Sequence, residues 1–416
     1  MPGVLHGHRH DTCRFCGSGD LKRYLDLGEQ PPSNSFLRPE EVAAEQRFPL
    51  DVYLCRTCGL SQLGYVVSAQ DIFDDYVYLS STSRALVAHF QALIDSVIGE
   101  FQMPAQPRVV DIGCNDGIML DRYPASYVRI GVEPSSAGEI AAAKGHHVLK
   151  SFFDPLVAQA IVERFGAANV VTMTNVFAHI DAILPVVEGL QRLLRQDGIV
   201  IIEFPYIIDT VDQVLFDTIY HEHLSYLSVT PTQALFSRYG MRCIQARRAA
   251  IGASGPAVQL FICHDAAPYA GDGSVEALVE FEKNWGLSDM APYATFAQAV
   301  GDRTQQLRSL VQDLRSAGKR IAGFAAPAKG NTLLNTAGLT AQEITAISEN
   351  NEWKIGRLAP GSHIPVVSEQ EFMDGKFDYA LLLAWNYLDF FLERSEYIKG
   401  GGKFIVPLPQ PRILPA

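Results

Sequence analysis

The segment at residues 220–226 is dense in side chains that can give or take a proton. It reads YHEHLSY and lies between apolar stretches. Because its two histidines are only two residues apart, they do not share a helical face as the H-E-x-x-H zinc ligands of metalloproteases do. If the segment is extended or forms a turn, we expect His221 and His223 to project to one side and Glu222 to the other. The pattern predicts an acid–base site with Tyr220, Glu222 and His223 as catalytic residues, unless these are polar groups satisfied at a domain interface.

Four of the seven cysteines are paired by spacing, Cys13 with Cys16 in CRFCG and Cys55 with Cys58 in CRTCG. Two C-x-x-C turns supply four thiolates, which form a closed tetrahedral zinc site with a structural role. A redox dithiol would instead open a helix in a βαβ unit, and neither pair does. The segment between the pairs is longer than a standard ribbon loop. We therefore expect a zinc ribbon with an insertion, whose turn-rich GEQPPSNSFL stretch runs over the surface.

A glycine-rich turn follows the first clear strand of the central part of the chain. In PRVVDIGCNDGIML, the strand ends at Asp111, and Gly113, Asn115 and Gly117 shape the turn before a helix. The next strand, VRIGVEP, ends on Glu133, where an acid can accept hydrogen bonds from both hydroxyls of a ribose. These residues predict a nucleoside cofactor site, because glycines let the backbone approach the ligand closely.

Three details favour S-adenosylmethionine over a dinucleotide such as NAD. The glycine turn lacks the Gly-x-x-Gly ending that suits a pyrophosphate. The strand NVVTMTN ends on Asn175, where class I methyltransferases often contact the donor, and GIVIIEFP takes the place of strand five. The alternative for Glu133 and Asn175 is that each only caps a following helix. The cofactor prediction is therefore S-adenosylmethionine, bound by residues 111–117, Glu133 and Asn175.

Further candidate residues lie on the rim of the same sheet. His179 follows Asn175 by four residues and is expected near the acid–base segment. Tyr76 and Tyr78, in DDYVYLSSTS, stand between the cysteine part and the sheet and could close over the donor. We assign Tyr76 to the catalytic group and Tyr78 to the cofactor-binding group.

Length and charge limit the remaining possibilities. A chain of 416 residues exceeds one hydrophobic core and predicts two or three domains. The net charge of −12 disfavours a nucleic-acid partner. No apolar run approaches the length of a membrane span and no signal-peptide core is visible, so we expect a cytoplasmic protein. The N-terminal histidines, in HGHRH, are expected in a solvated, disordered tail.

Taken together, the motifs resemble those of the nucleotide-sugar C-methyltransferases of deoxysugar biosynthesis, of the mycarose and tetronitrose type. The resemblance rests on CRFCG…CRTCGL, YVYLSSTS, VVDIGCNDG, YHEHLSYLS and GFAAPAKGNTLLN, and it extends from about residue 13 to residue 409. It implies an α/β protein with a zinc-binding module at residues 1–75. Residues 76–255 would form a class I methyltransferase domain, and residues 256–416 a Rossmann-like domain that helps to hold a sugar nucleotide.

The C-terminal part carries its own candidate substrate residues. After the strand RIAGFAA, a helix opens at PAKGN, where free amides and Lys329 suit a diphosphate. Asn331 lies in the same turn, and His363 lies in the loop RLAPGSHIP, which we expect over the same site.

The resemblance implies methylation at C-3 of a dTDP-4-keto-deoxysugar. A sugar carbon becomes acidic beside a ketone, so His223 would act as the base, with Glu222 orienting or tuning it. Tyr220 and His179 would donate hydrogen bonds to the enolate oxygen. One alternative is an O- or N-methyltransferase acting on another small polar acceptor; a second is a zinc-ribbon scaffold that only binds partners. We expect a monomer, since three domains can bury one another's apolar faces.

Overall fold

The computed structural model describes residues 5–73, 81, 84–252 and 255–415. Strands and helices alternate along most of the chain, which gives the predicted α/β class. In chain order, the strands of the described part are β1 (Gly7–Arg9), β2 (Leu21–Gln30), β3 (Phe48–Cys55), β4 (Ser61–Leu63), β5 (Tyr65–Val67), β6 (Arg108–Ile112), β7 (Val128–Val132), β8 (His147–Leu149), β9 (Ala168–Thr174), β10 (Leu194–Pro205), β11 (Ser225–Tyr226), β12 (Met241–Gly252), β13 (Gly255–His264), β14 (Ile321–Phe324), β15 (Ile347–Glu349), β16 (Val366–Ser368), β17 (Tyr379–Leu382), β18 (Lys403–Val406) and β19 (Arg412–Leu414).

The helices cover the faces of the sheets and connect the domains. Within the described residues, no helix combines the length and apolar composition needed to cross a membrane. The α-helices of this part are α1 (Ala69–Phe73), α2 (Arg84–Glu100), α3 (Ala137–Ala143), α4 (Pro155–Phe165), α5 (Ile183–Leu193), α6 (Ile207–Asp212), α7 (Val229–Ser237), α8 (Ser274–Trp285), α9 (Met290–Ser316), α10 (Ala328–Ala337), α11 (Glu369–Asp374), α12 (Leu388–Arg394) and α13 (Glu396–Lys399).

The N-terminal module is an antiparallel sheet with the order β11-β4-β3-β2 among the described residues. Three of its strands come from the cysteine-containing part of the chain. The fourth, β11, comes directly after the YHEH segment, and Ser225 pairs with Gln62 while Tyr226 pairs with Ser61. The zinc module therefore incorporates a strand from the centre of the chain.

Two expectations for the N-terminal region are wrong. The histidine-rich start is not a disordered tail, because β1 pairs with β5 and brings His8 Nε2 to 3.3 Å from Asp181. The segment GEQPPSNSFL does not run over the surface, since residues 30–33 and Phe36 are buried. It packs against the C-terminal domain, where the Asn331 side chain donates to the carbonyl of Ser33 at 2.7 Å. Its turn-forming residues fill an interface that the sequence pattern does not reveal.

The central sheet has the order β12-β13-β10-β9-β6-β7-β8 in the described part of the chain. Strands β6 to β10 run parallel, while β13 and β12 are antiparallel additions at one edge. The carboxyl ends of β6, β7 and β9 lie together, which places the glycine turn beside Glu133 and Asn175. Because β13 ends at His264, we propose that the central domain extends to that residue, past the predicted boundary at residue 255.

The C-terminal domain is built on a second sheet, with the order β16-β15-β14-β17-β18-β19 among described residues. All pairings are parallel except that of the edge strand β19. Helix α10 begins directly beyond the loop after β14, as predicted from the PAKGN segment. The long helix α9 packs on the zinc module, where the rings of Tyr24 and Tyr293 are 4.7 Å apart.

Candidate active site

The four predicted zinc ligands lie together. The Sγ atoms of Cys13 and Cys58 are 3.5 Å apart, those of Cys16 and Cys55 are 3.6 Å apart, and all four lie within 4.8 Å of one another. A tetrahedral Zn²⁺ with Zn–S bonds of about 2.3 Å requires sulfur separations of about 3.8 Å, so the arrangement fits zinc. Four thiolates leave no open coordination position, and a zinc ion here stabilises the fold.

One cleft of about 1670 Å³ is bordered by all three domains. The zinc module contributes residues 31–32 and 34–38, and the central domain contributes residues 111–115 of the glycine turn together with Thr218, Tyr220, Glu222 and His223. The C-terminal domain contributes the loop and helix start at 325–329 together with residues 349–354. The predicted cofactor, acid–base and diphosphate residues therefore face a common space.

On the cofactor side, the Glu133 carboxylate is held between two loops. It accepts hydrogen bonds from the amides of Asn115 and Ser135, each at 2.9 Å. Gly113 has a φ of +72°, and a Cβ there would lie 2.3 Å from a methyl carbon of Val176. Gly117 closes the turn, where its amide donates to the carbonyl of Cys114, and it does not line the cleft. A fixed carboxylate beside a glycine turn suits the ribose of a nucleoside cofactor.

Two further cofactor candidates stand at neighbouring strand ends. Asp111 is buried and accepts a hydrogen bond from Thr172 Oγ1 at 2.6 Å, and burial raises the pKa of this carboxyl to about 7. Asn175 lines the cleft in a left-handed conformation with φ of +56°, and its amide bonds to the carbonyl of Glu203. Tyr76 and Tyr78, predicted to close over this site, lie outside the described residues.

The imidazole of His223 is fixed in one tautomer. Its Nδ1 lies 2.7 Å from the carbonyl of Thr218, so Nδ1 carries a hydrogen. Burial lowers the pKa of His223 to about 4, so the ring is neutral at pH 7 and Nε2 is the basic atom. The hydroxyl of Tyr220 donates to Nε2 at 2.9 Å. The orienting contact predicted for Glu222 is made instead by the backbone carbonyl of Thr218.

His179 stands edge-on to His223, with ring centroids 4.8 Å apart. Burial, with a smaller contribution from His223, lowers the pKa of His179 to about 3. Both rings line the cleft, as does Tyr220. The site thus contains two neutral imidazoles and a phenol, which together can accept one proton and donate others.

The carboxyl of Glu222 forms a separate part of the site. Its Oε1 accepts a hydrogen bond from Asn34 Nδ2 at 2.7 Å, and burial raises its pKa to about 7. The buried ammonium of Lys354 lies nearby, bonded to the carbonyl of Ala326 at 2.8 Å, and attracts this carboxylate. Sequence reasoning missed Asn34 and Lys354, since nothing near PPSNS or NEWK signals a catalytic neighbourhood.

His221 does not accompany His223, contrary to the expectation that both project to one side. The segment forms a turn, with the amide of His223 bonded to the carbonyl of Tyr220. The turn directs Glu222 and His223 into the cleft and His221 away from it, against Phe48, where Nε2 lies 3.3 Å from the Phe48 carbonyl. His221 is therefore a buried structural residue.

This buried position predicts a pH dependence of stability. Burial lowers the pKa of His221 to about 4, whereas an unfolded chain protonates histidine near pH 6.5. Between these values the unfolded state binds a proton that the folded state does not, so stability present above pH 6.5 is lost as the pH falls toward 4. We expect the free energy of unfolding of a His221→Leu variant to fall less steeply over this range, by up to about 3 kcal/mol. Urea denaturation at several pH values measures this difference, and parallel profiles would contradict it.

The three predicted substrate residues of the C-terminal domain have different surroundings. Lys329 lines the cleft, donates to Asn386 Oδ1 at 2.6 Å and lies 4.4 Å from the ring centroid of Trp385. Asn331 does not line the cleft, because its side chain bonds to the zinc-module insertion. His363 does not line it either, and its Nε2 lies 3.1 Å from a carboxylate oxygen of Glu45.

Three sequence families match successive parts of the chain. Residues 13–73 match a zinc binding domain, residues 86–246 a methyltransferase domain and residues 253–409 the C-methyltransferase C-terminal domain. The C-methyltransferase NovU of Streptomyces niveus is 33% identical over 410 residues, which cover 98% of this chain and 97% of NovU. The chain belongs to this C-methyltransferase family. It is an S-adenosylmethionine-dependent methyltransferase with a four-cysteine zinc-binding site.

Solved structures also overlap with this C-methyltransferase. The YcgJ protein of Bacillus subtilis is 17% identical, covering 42% of this chain and 97% of its own, with a TM-score of 0.33. An S-adenosylmethionine-dependent methyltransferase of Anabaena variabilis is 19% identical, covering 42% of this chain and 84% of its own, with a TM-score of 0.34. Each overlap covers less than half of the C-methyltransferase.

Proposed function

We propose that this C-methyltransferase adds a methyl group to C-3 of a dTDP-4-keto-deoxysugar. The observation that carries the proposal is the neutral His223, His179 and Tyr220 group in the same cleft as the donor loop. Making a carbon–carbon bond requires a base for a C–H proton and donors for the resulting enolate oxygen. A ketone beside C-3 makes that proton acidic enough for an imidazole.

The donor side supports S-adenosylmethionine as the cofactor. Glu133 would hold the ribose hydroxyls, because its carboxylate is already fixed by two backbone amides at the tip of β7. Gly113 leaves the backbone at the end of β6 open to close approach, and Asn175 borders the same space. When bound, S-adenosylmethionine supplies an electrophilic methyl group for the nucleophilic carbon.

The base would be Nε2 of His223. In the resting site this atom accepts the Tyr220 hydroxyl, so that hydroxyl has to turn to the enolate oxygen as the substrate binds. Nε2 is then free to take the proton from C-3, and the bonding electrons of the C–H bond form the enolate. Tyr220 and His179 would donate hydrogen bonds to its oxygen. The negative charge of the enolate raises the pKa of His223, which favours the imidazolium as it forms.

The C-terminal side supports an anionic substrate group. Lys329 and Lys354 are both buried at the cleft, and burial lowers the pKa of each amine. The carboxyl of Asp217 opposes the effect on Lys329, and Glu349 opposes it on Lys354. A diphosphate near Lys329 and the amides that open α10 would stabilise the charged ammonium. Glu222 and Asn34 border the same cleft and are placed for hydroxyls of the sugar.

Product analysis tests this proposal directly. The enzyme is incubated with ¹³C-methyl S-adenosylmethionine and dTDP-4-keto-2,6-dideoxy sugars that carry either a 3-amino or a 3-hydroxyl group. We expect NMR to show a labelled methyl on a quaternary carbon, and the acceptor that reacts identifies the natural substituent. The matched control is the 4-hydroxy sugar, which lacks the ketone and should not react. A labelled O- or N-methyl product, or equal reaction of the 4-hydroxy sugar, would contradict the enolate mechanism.

A further inference from the structure

Arg14 lies between two zinc ligands and is fully buried. It stands in the knuckle between Cys13 and Cys16, and its side chain has no exposed area. Its Nη1 donates to the carbonyls of Leu63 at 2.9 Å and Leu224 at 3.2 Å. Its Nε donates to the carboxylate of Asp181 at 3.2 Å. The guanidinium therefore connects the zinc module, through Leu63, with the central domain, through Leu224 and Asp181.

Two of these contacts fall on the segments that hold the active-site histidines. Leu224 directly follows His223, and Asp181 follows His179 by two residues. The segments are also joined to each other, because the amide of Leu224 donates to the carbonyl of Ala178 at 2.8 Å. One guanidinium thus contacts both segments, through the backbone carbonyl of Leu224 and the side-chain carboxylate of Asp181.

We propose that Arg14 is a positioning residue that transmits the geometry of the zinc knuckle to His179 and His223. The inference rests on the proposed function for the catalytic roles of the two histidines. The planar guanidinium has five N–H donors in a fixed fork, so it can bond two carbonyls and a carboxylate at once, which a lysine cannot reproduce. Zinc bound to Cys13 and Cys16 would fix the conformation of the knuckle and therefore the position of Arg14. Through Leu224 and Asp181, Arg14 then determines the distance between the two imidazoles.

A second arginine provides a matched control. Arg238, directly after α7, donates to the carbonyl of Phe15 in the same knuckle, at 2.5 Å. Phe15 follows Arg14, so both arginines connect the knuckle to the central domain. Among the hydrogen bonds and ion pairs of the described residues, Arg238 has none to Leu224 or Asp181.

The test compares Arg14→Met, Arg238→Met and the wild type. For Arg14→Met we expect kcat to fall about 10–100-fold, because displacements of about 1 Å in a catalytic group have effects of this size. The Kd for S-adenosylmethionine and the zinc content should stay as in the wild type. In ¹⁵N-histidine NMR spectra, assigned with single histidine variants, the His179 and His223 resonances should shift in Arg14→Met and remain in place in Arg238→Met.

Unchanged kcat and unchanged resonances in Arg14→Met would overturn the proposal, and so would equal losses in Arg238→Met. If Arg14→Met does not fold, Asp181→Ala takes its place, since the partly exposed Asp181 anchors the same guanidinium. For that variant we expect a shifted His179 resonance and a kcat reduced at least threefold, and a wild-type spectrum would reject the inference. If the wild type methylates no 4-keto sugar, the proposed function fails, whereas the NMR comparison still decides the role of Arg14.

Discussion

Replacing His223 with asparagine will lower kcat by about 10²–10⁴-fold, the usual contribution of a general base. The asparagine amide can still donate to the Thr218 carbonyl, so the local structure is retained, but it cannot accept a proton at neutral pH. Single-turnover kinetics with ¹³C-methyl donor measures the loss. Calorimetry should give a Kd for S-adenosylmethionine within about twofold of the wild-type value, because the proposed role of His223 is toward the methyl acceptor.

The matched control for this experiment is His221→Leu. It removes an imidazole two residues away that faces Phe48 and does not line the cleft, so kcat should stay near the wild-type value. Deuterium exchange at C-3 of the sugar separates the base from other roles. Exchange that continues at the wild-type rate in His223→Asn would assign proton removal to another group.

Replacing Glu133 with alanine will weaken S-adenosylmethionine binding by roughly 10²–10⁴-fold. A carboxylate that accepts both ribose hydroxyls makes two charge-assisted hydrogen bonds, each worth about 1.5–3 kcal/mol. The same substitution leaves the amides of Asn115 and Ser135 without their acceptor, which loosens the donor loop. Calorimetric titration with S-adenosylhomocysteine measures the change without turnover.

Glu349 offers a control in an equivalent position. It stands at the carboxyl end of β15 in the second parallel sheet, and its carboxylate accepts the amides of Ala326 at 3.1 Å and Asn350 at 2.8 Å. Glu349→Ala removes a strand-tip carboxylate of the same kind from the other domain, so donor affinity should not change. A Glu133→Ala variant that binds donor within threefold of the wild type would place the ribose elsewhere.

Local patterns predicted which residues meet at the carboxyl ends of the central parallel strands. Asp111, Asn115 and Glu133 each stand at the end of a parallel strand or in the turn after it. The carboxyl ends of neighbouring parallel strands converge, so the spacing of strands and glycines in the sequence is enough to bring these residues together. The four-cysteine cluster could also be predicted from the sequence, because each C-x-x-C turn fixes two ligands locally.

The acceptor side depends on contacts distant in sequence. Asn34 reaches Glu222 across 188 residues because the PPSNS segment is buried between domains, whereas composition alone favoured a surface loop. The expectation for His221 applied the alternation of an extended strand to a turn as well, and side chains two residues apart need not share a side in a turn. The Thr218 carbonyl that fixes His223 is a backbone atom, so no residue type signals it.

The short strand β11 affects how this protein can be divided or recombined. Its two residues cover the edge of β4, so Ser61 and Gln62 are fully buried although the sequence around them reads as a separate module. A fragment that ends after residue 75 would expose that edge and its unpaired backbone groups, and ribosomal synthesis leaves it open until residue 226 has emerged. In a chimaera of two relatives, residues 225–226 and the N-terminal module should therefore come from the same parent, although they are separate in sequence.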